Sequence, residues 1–283
     1  MRPDFAIPSH PDSITDSSAW EAELKLGFRQ RGDKTTLARR EHRGPLTVQR
    51  PFYPEGGVCH VYLLHPPGGV VAGDCLTIEA MVEHDAQALI TTPAAGKFYR
   101  SGGGEARQTI HLAVAENACL EWLPQETIVY DGARLNATTY IELAEQSRFI
   151  GWEITALGRP AAGEGFSEGH AKLAWRIHCG GRLHYLERQY LDAEAFQARW
   201  GLSGHSACGT MFVYPATPVH LAAVQDLIGE EPNLGVTLIE GLLICRALNR
   251  RADVLKGYFE RVWGLVRGDV MGKEVCLPRI WAT

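Results

Sequence analysis

The stretch Phe149-Ile-Gly-Trp-Glu-Ile-Thr-Ala-Leu157 decides the fold, because it is an apolar run of the length and composition of one β-strand. Comparable runs, alternating or β-branched, recur at 88–92, 108–114 and 138–143. Clusters of Gly, Pro, Asn or Asp separate them and mark turns. Residues 20 to 214 are therefore predicted to form about a dozen or more short strands.

The connections between these runs lack amphipathic helical stretches, which excludes the usual parallel βαβ crossover. A mainly β fold remains, as a sandwich, a barrel or a helical stack of strands, and the pattern alone does not choose among them. The C-terminal quarter differs, because 218–229 and 251–267 have helical periodicity. Asn249 is a candidate cap for the second helix. We expect one β-rich domain over 19–283, with a small helical part within about 217–267.

Composition limits the classes of function. The chain has 283 residues, 45% hydrophobic and 22% charged, which is typical of a soluble globular protein. A net charge of -5 and a pI of about 6.1 argue against a nucleic-acid partner, since phosphate-backbone binding needs a basic surface.

The termini and cysteines predict a compartment. Residues 1–18 are rich in Pro, Ser and Asp and predict a disordered tail, without the apolar core of a signal peptide. No run reaches the roughly 18 to 20 apolar residues of a membrane-spanning helix. Seven cysteines without a C-x-x-C pair indicate reduced thiols. We expect a soluble, cytoplasmic protein with no membrane partner.

One catalytic motif is present. Gly165-Phe-Ser-Glu-Gly169 matches the G-x-S-x-G nucleophile elbow, which needs a strand, a sharp turn and then a helix around Ser167. Residues 171–178 alternate as a strand instead. A glycine-rich loop is the preferred interpretation, and a serine hydrolase using Ser167 is kept as the alternative function.

No local spacing predicts a tight metal site. The most tempting candidate is the hairpin around Gly180-Gly181, where a two-residue turn would place Ile177 opposite His184 and His178 opposite Leu183. The two histidines would then lie on opposite faces of the sheet and could not share one ion.

Two acidic residues stand in apolar surroundings. Glu121 and Glu153 each interrupt an apolar run, and a buried carboxylate is costly unless it is paired or hydrated. One interpretation is an edge-facing side chain or a salt bridge to an arginine. The other is an internal aqueous passage, with Asp131 and Glu164 near its mouths, in which carboxylates hold a divalent cation weakly.

A charged, aromatic cluster, Lys97-Phe98-Tyr99-Arg100, follows a turn punctuated by Pro93 and Gly96. Two interpretations have equal weight. The aromatic rings and basic groups form a structural clamp, or they form a protein interface, in which Tyr and Arg are favoured anchors.

Several long, irregularly spaced motifs occur along the chain. They are 44–55, His65-Pro-Pro-Gly-Gly-Val-Val-Ala-Gly-Asp74, Thr91-Thr-Pro-Ala-Ala-Gly-Lys-Phe-Tyr-Arg-Ser101, 120–126 with Asp131-Gly-Ala133, Gly158-Arg-Pro160 and Leu277-Pro-Arg-Ile-Trp281. Together they resemble the urease accessory protein D family (UreD, also called UreH). The resemblance covers residue 20 to the end of the chain, with Ala72 as a departure where the family more often has glycine.

The resemblance implies a β-helix-like stack of strands and a scaffold that is not an enzyme. It implies binding to apo-urease and to an accessory F protein and a GTP-hydrolysing accessory G protein, and help with nickel insertion through an internal tunnel. No tightly bound cofactor is expected, only a nickel ion in transit. The chain has no G-x-x-x-x-G-K-[ST] loop, so nucleotide hydrolysis is assigned to another subunit. A metal-independent protein-interaction module is the third reading.

Overall fold

A computed structural model of the chain describes residues 19–282, and the predicted tail over 1–18 lies outside them. Short strands dominate this part of the chain. The helices are α1 (Ala193–Gln197), α2 (Pro218–Ile228) and α3 (Ala252–Met271). The strands are β1 (Glu21–Arg31), β2 (Lys34–Arg43), β3 (Thr47–Val48), β4 (Cys59–Leu64), β5 (Cys75–Val82), β6 (Gln87–Thr91), β7 (Gly96–Phe98), β8 (Ala106–Val114), β9 (Cys119–Leu123), β10 (Thr127–Val129), β11 (Arg134–Leu143), β12 (Arg148–Leu157), β13 (His170–Cys179), β14 (Arg182–Leu191), β15 (Ala207–Tyr214), β16 (Leu234–Ile239) and β17 (Leu242–Asn249).

The chain coils between two sheets. The first has the strand order β14-β13-β11-β8-β5-β1-β2, and the second contains β16-β17-β15-β12-β9-β6-β4-β3. Apart from the short strands β7 and β10, successive strands from β4 to β13 alternate between the sheets, and neighbours along β1-β5-β8-β11-β13 and β4-β6-β9-β12 run parallel. The short strands β7 and β10 form a third side next to β12. The predicted β-helix-like stack is confirmed.

Two apolar cores fill this stack. The larger lies between the sheets, and the second lies between the outer face of the second sheet and α3. Strand β12 contributes to both, since Phe149 and Leu157 point inward whereas Ile150 and Ile154 point toward α3. Because both faces of this strand are buried, its sequence is an apolar run without clear alternation.

Both predicted helices are present, with one correction. The helical periodicity of 251–267 predicts an apolar stripe of Val254, Leu255, Tyr258, Phe259, Val262, Trp263 and Val266, and all of these are buried except Val254, which is 45% exposed. Each fully buried large apolar side chain contributes about 1.5–3 kcal/mol. Asn249 is not the N-cap, because α3 begins after Arg251; Asn249 instead accepts a hydrogen bond from the Arg251 amide at 3.1 Å.

The predicted hairpin forms, but its pairing differs from the prediction. Cys179 lies opposite Arg182 and His178 opposite Leu183, as expected. A β-bulge between Ile177 and His178 then shifts the register, so that Ile177 lies opposite Tyr185 rather than His184. Beyond the bulge, every residue of β14 points to the face opposite the predicted one.

Candidate functional site

Glu153 lies on the inner face of β12, between the two sheets. It shares that face with Phe149 and Leu157 of the inter-sheet core. Across the antiparallel neighbours it lies opposite Thr210 of β15, which lies opposite Arg246 of β17. These three side chains therefore form a polar row that crosses an otherwise apolar wall.

Among residues 19–282, no cationic side chain pairs with the Glu153 carboxylate. Its hydrogen-bond donor is the indole N–H of Trp175, a buried residue of β13 in the opposite sheet. Burial raises the pKa of Glu153 to about 7; the charge of Glu187 also raises it, and the indole hydrogen bond opposes both. Glu153 is therefore a carboxyl group that gains or loses a proton near neutral pH.

Glu187, the acidic neighbour of Glu153, is part of a hydrogen-bonded network. The bulge in the hairpin places it on the inner face of β14, opposite Trp175. Its Oε1 accepts hydrogen bonds from Gln189 Nε2 at 2.6 Å and lies 3.1 Å from Arg246 Nη1. Tyr185 donates its hydroxyl proton to Oε2 at 2.8 Å. Glu187 is thus a paired carboxylate beside an unpaired one.

Two cavities between the sheets meet at Glu153 and Trp175, which line both of them. The larger, about 750 Å³, contains Glu187 and Arg246 and reaches the surface at Trp200, which is 73% exposed. The smaller, about 310 Å³, runs toward the exposed Gly68. Glu153 and Trp175 therefore lie where the two cavities adjoin inside the stack.

The polar groups of this region do not form a tight metal centre. Within residues 19–282, no three His, Cys, Asp or Glu side chains are grouped so that they could hold a metal ion. Carboxylates without imidazole or thiolate partners suit weak, exchangeable binding of a divalent cation.

Glu121 lies on the other face of the second sheet and lines neither cavity. It points toward α3, where Arg267 donates to both carboxylate oxygens, at 3.0 and 2.9 Å, and Trp263 Nε1 donates at 2.6 Å. Arg267 also contacts Glu55 at 2.7 Å, and Glu55 contacts His60 at 2.6 Å.

Burial opposes a charge on Arg267, but its hydrogen bonds to Glu121 and Glu55 raise its pKa well above the ordinary value. Glu121 is therefore salt-bridged to an arginine, one of the two alternatives that its sequence context predicts.

Asp131 and Glu164 lie together at a separate, small cavity of about 310 Å³, away from Glu153. The backbone amides of Ser167 and Glu168 donate to Asp131 at 2.6 and 3.0 Å, and Arg100 contacts its other oxygen at 3.0 Å. Glu164 pairs with Arg159. Both carboxylates thus have local partners, and the structure does not join them to the two inter-sheet cavities.

The Lys97–Arg100 cluster splits into different environments. Phe98 is buried, whereas Arg100 is exposed and bridges Asp131 and Glu168 at 3.0 and 3.1 Å. The ring of Tyr99 packs against Tyr130, with centroids 4.8 Å apart, and leaves no room for a side chain at residue 69, which is glycine. Lys97 lies beside them, half-buried, on the wall of the smaller cavity. These are contacts of a clamp, and the interface stays a prediction.

Comparisons with known proteins agree with this architecture over nearly the whole chain. The model of the family described as UreD urease accessory protein matches residues 21–282. Urease accessory protein UreD of Dechloromonas aromatica is 41% identical over 276 residues, covering 94% of this chain and 96% of that protein. The protein of the same name from Citrobacter koseri is 42% identical over 270 residues, covering 95% and 94%. That of Cupriavidus necator is 40% identical over 286 residues, covering 98% and 99%.

The chain belongs to the UreD urease accessory protein family. This result confirms the resemblance seen in the sequence motifs. Its family role is that of a urease accessory protein, a role in urease maturation. None of the helices in the described part of the chain is long and apolar enough to cross a membrane.

The loop around Ser167 lacks the context of a hydrolase in this UreD family member. The Ser167 hydroxyl donates to Asp131 at 3.1 Å, and the next element is strand β13, not a helix. A nucleophile elbow needs a helix after the turn. Asp131 instead fixes the loop by accepting from two backbone amides.

Sequence reasoning missed Glu187, Arg246 and Thr155 of the UreD interior. Thr155 lies two residues after Glu153 on the same face of β12 and lines the larger cavity. If the bulge had been predicted, the alternation of β14 side chains would have placed Glu187 on the inner face of the sheet. Arg246 carried no signal, since a single charge in the apolar strand 242–249 has the same pattern as a solvent-facing residue.

Proposed function

We propose that this chain acts as a non-catalytic, cytoplasmic scaffold in urease maturation and gives nickel an internal route to apo-urease. The observation that carries the proposal is that the two cavities adjoin at Glu153 and Trp175, since one carboxylate faces both inter-sheet cavities. A cation that crosses from one cavity to the other must pass this group. All seven cysteines are free thiols, which supports a protein that works in the reducing environment of the cytoplasm.

Membership in the UreD family supports the proposal that this chain binds urease and other accessory proteins. In the proposed assembly the chain binds apo-urease, an accessory F protein and a GTP-hydrolysing accessory G protein, and nickel is its cargo rather than a resident cofactor. Ionised Glu153 contributes a negative charge that attracts the divalent ion. Protonation of the same carboxylate removes that charge and releases the ion. No bond is made or broken by this chain.

The route is tested by Glu153→Gln, which keeps the shape of the side chain and removes its charge. The urease subunits and accessory proteins would be expressed in cells with this variant, and nickel per urease and urease activity would be measured. Loss of one charged contact of about 1.5–3 kcal/mol predicts roughly tenfold slower nickel loading or more. Glu41→Gln, on the exposed part of strand β2, is the matched control.

The outcome separates the candidate roles. Normal nickel loading in Glu153→Gln would reject the route, whatever the control shows. If the chain were still required for urease activity in that case, the metal-independent interaction module would replace the nickel route. Pull-down with urease subunits verifies that the variant still joins the complex.

A further inference from the structure

A cation already occupies the larger cavity, in the form of the Arg246 side chain. Its Nη1 lies 3.1 Å from Glu187 Oε1, and its Nη2 donates to the Tyr185 hydroxyl at 2.5 Å. The Arg246 side chain is 53% exposed, whereas that of Glu187 is only 8% exposed. The pair thus has one fixed, buried partner and one partner with room to swing into solvent.

The same cavity contains a polar atom without a partner. Thr155 is 1% exposed, and its hydroxyl is among the few buried side-chain polar atoms of residues 19–282 that lack a hydrogen-bond partner. It lines the cavity on the same face of β12 as Glu153. Since buried hydroxyls in proteins are nearly always hydrogen-bonded, an oxygen of this kind on a cavity wall points to a ligand.

The charges of this region explain how such a ligand could be held loosely. Glu153 and Glu187 would together present two negative charges to a divalent cation. The guanidinium of Arg246 pairs with Glu187 and cancels its charge until the arginine side chain moves. An entering cation therefore competes with the guanidinium for the same carboxylate.

We propose that Glu187 is the second carboxylate of the route and that Arg246 is its built-in counter-cation, which an incoming divalent ion displaces and which then helps expel that ion. That the ion is nickel rests on the proposed function. The competition between Arg246 and a divalent cation for Glu187 is independent of that function. Thr155 supplies a neutral oxygen beside the two carboxylates.

The test measures nickel binding to the purified full-length chain by isothermal titration calorimetry and equilibrium dialysis, with nickel as the only added ligand. Arg246→Gln removes the competing charge and is expected to tighten nickel binding about tenfold. Arg246→Lys keeps a charge and should give a smaller gain. Arg250→Gln, an exposed arginine just after β17, is the matched control.

A second substitution pair checks the mechanism. Tyr185→Phe removes one of the two contacts that hold Arg246 and is expected to tighten nickel binding about threefold, without removing any charge. Combining Arg246→Gln with Glu187→Gln should abolish the gain. Unchanged affinity in both Arg246→Gln and Tyr185→Phe overturns the proposal, as does a gain that survives Glu187→Gln. Far-UV circular dichroism confirms that each variant is folded.

Measurements in cells distinguish this proposal from the route through Glu153. Tighter nickel binding by Arg246→Gln together with normal loading in Glu153→Gln supports the counter-cation and rejects the route. Unchanged nickel binding by Arg246→Gln together with poor loading in Glu153→Gln rejects the counter-cation and supports the route. Where both hold, Arg246→Gln should also slow the transfer of nickel to urease, because the ion is released more slowly.

Discussion

Glu121 and Glu153 occupy neighbouring strands of one sheet and were indistinguishable as lone acids in apolar runs, yet they lie in opposite environments. Glu121 faces α3 and is held by Arg267 and Trp263 in a space filled by side chains. Glu153 faces the interior of the stack, with an indole N–H as its donor and a cavity on either side. An acid in an apolar run thus belongs to a structural lock in one case and is a titratable, cavity-lining group in the other, and the partner decides which.

Removing Arg267 is the strongest test of whether Glu121 belongs to a stabilising ion-pair network. Arg267→Met leaves Glu121 and Glu55 buried without their cation, and loss of one member of such a pair costs about 3–5 kcal/mol. Urea denaturation should show this loss in the free energy of unfolding. Arg261→Met, on the exposed side of α3, should stay within about 0.5 kcal/mol of the wild type.

A loss of less than about 1 kcal/mol in Arg267→Met would show that the network beneath α3 is not a lock. Combining it with Glu121→Leu sharpens the point. Replacing both members of a buried pair with apolar side chains is often close to neutral, so the double variant should recover part of the lost stability.

The second test uses pH and concerns Glu153. Its pKa of about 7 in the folded chain lies above the ordinary value of 4.5, so the protonated form is the one that the fold favours. Its contribution to stability is fully present below pH 4.5 and is lost as the pH rises through 7. Glu153→Gln has no such loss.

Relative to the wild type, Glu153→Gln should therefore gain stability between pH 4.5 and 8, by at most about 3 kcal/mol. Chemical denaturation at a series of pH values measures this difference. If the stability difference between Glu153→Gln and the wild type does not change with pH, Glu153 does not titrate as its surroundings predict. Glu121→Gln should instead be destabilising, because it weakens the pairing of Arg267.

The smallest effects are expected from the two indole donors. Trp175→Phe and Trp263→Phe each remove one N–H to a carboxylate, a loss of about 1–3 kcal/mol. For Trp175→Phe the loss should appear mainly above pH 7, where Glu153 is ionised and needs the donor most. Thermal melting of both variants at pH 5.5 and pH 8.5 compares them, and an equal pH response in the two would erase the proposed difference.

Much of the fold was readable from the sequence. Strand runs, turn residues and the helical stripe of α3 follow from local periodicity, and the family motifs supplied the stacked arrangement. The inward and outward faces of β12 were not readable, since Phe149 and Ile150 are equally apolar and both are buried. Periodicity identifies a face only where one side meets water.

The site was less predictable for a different reason. Arg267 lies 146 positions from Glu121, so its role as a partner depends on how α3 folds back over the sheet. Glu187 was hidden because the pairing of β13 and β14 was predicted without a bulge. Asp131 and Glu164 do lie together, but their partners Arg100 and Arg159 come from neighbouring loops rather than from the sheet interior.

Because of the bulge between Ile177 and His178, the number of residues between the turn and Glu187 decides whether Glu187 lies opposite Trp175. Deleting Leu186, just beyond the bulge, would exchange the faces of the β14 side chains that follow it, sending Arg188 inward and Glu187 into bulk water. The hairpin would still form, and its composition would be almost unchanged. Single-residue insertions and deletions in this hairpin should therefore be far less tolerated than substitutions, although it sits at the edge of the sheet, where length variation is usually harmless.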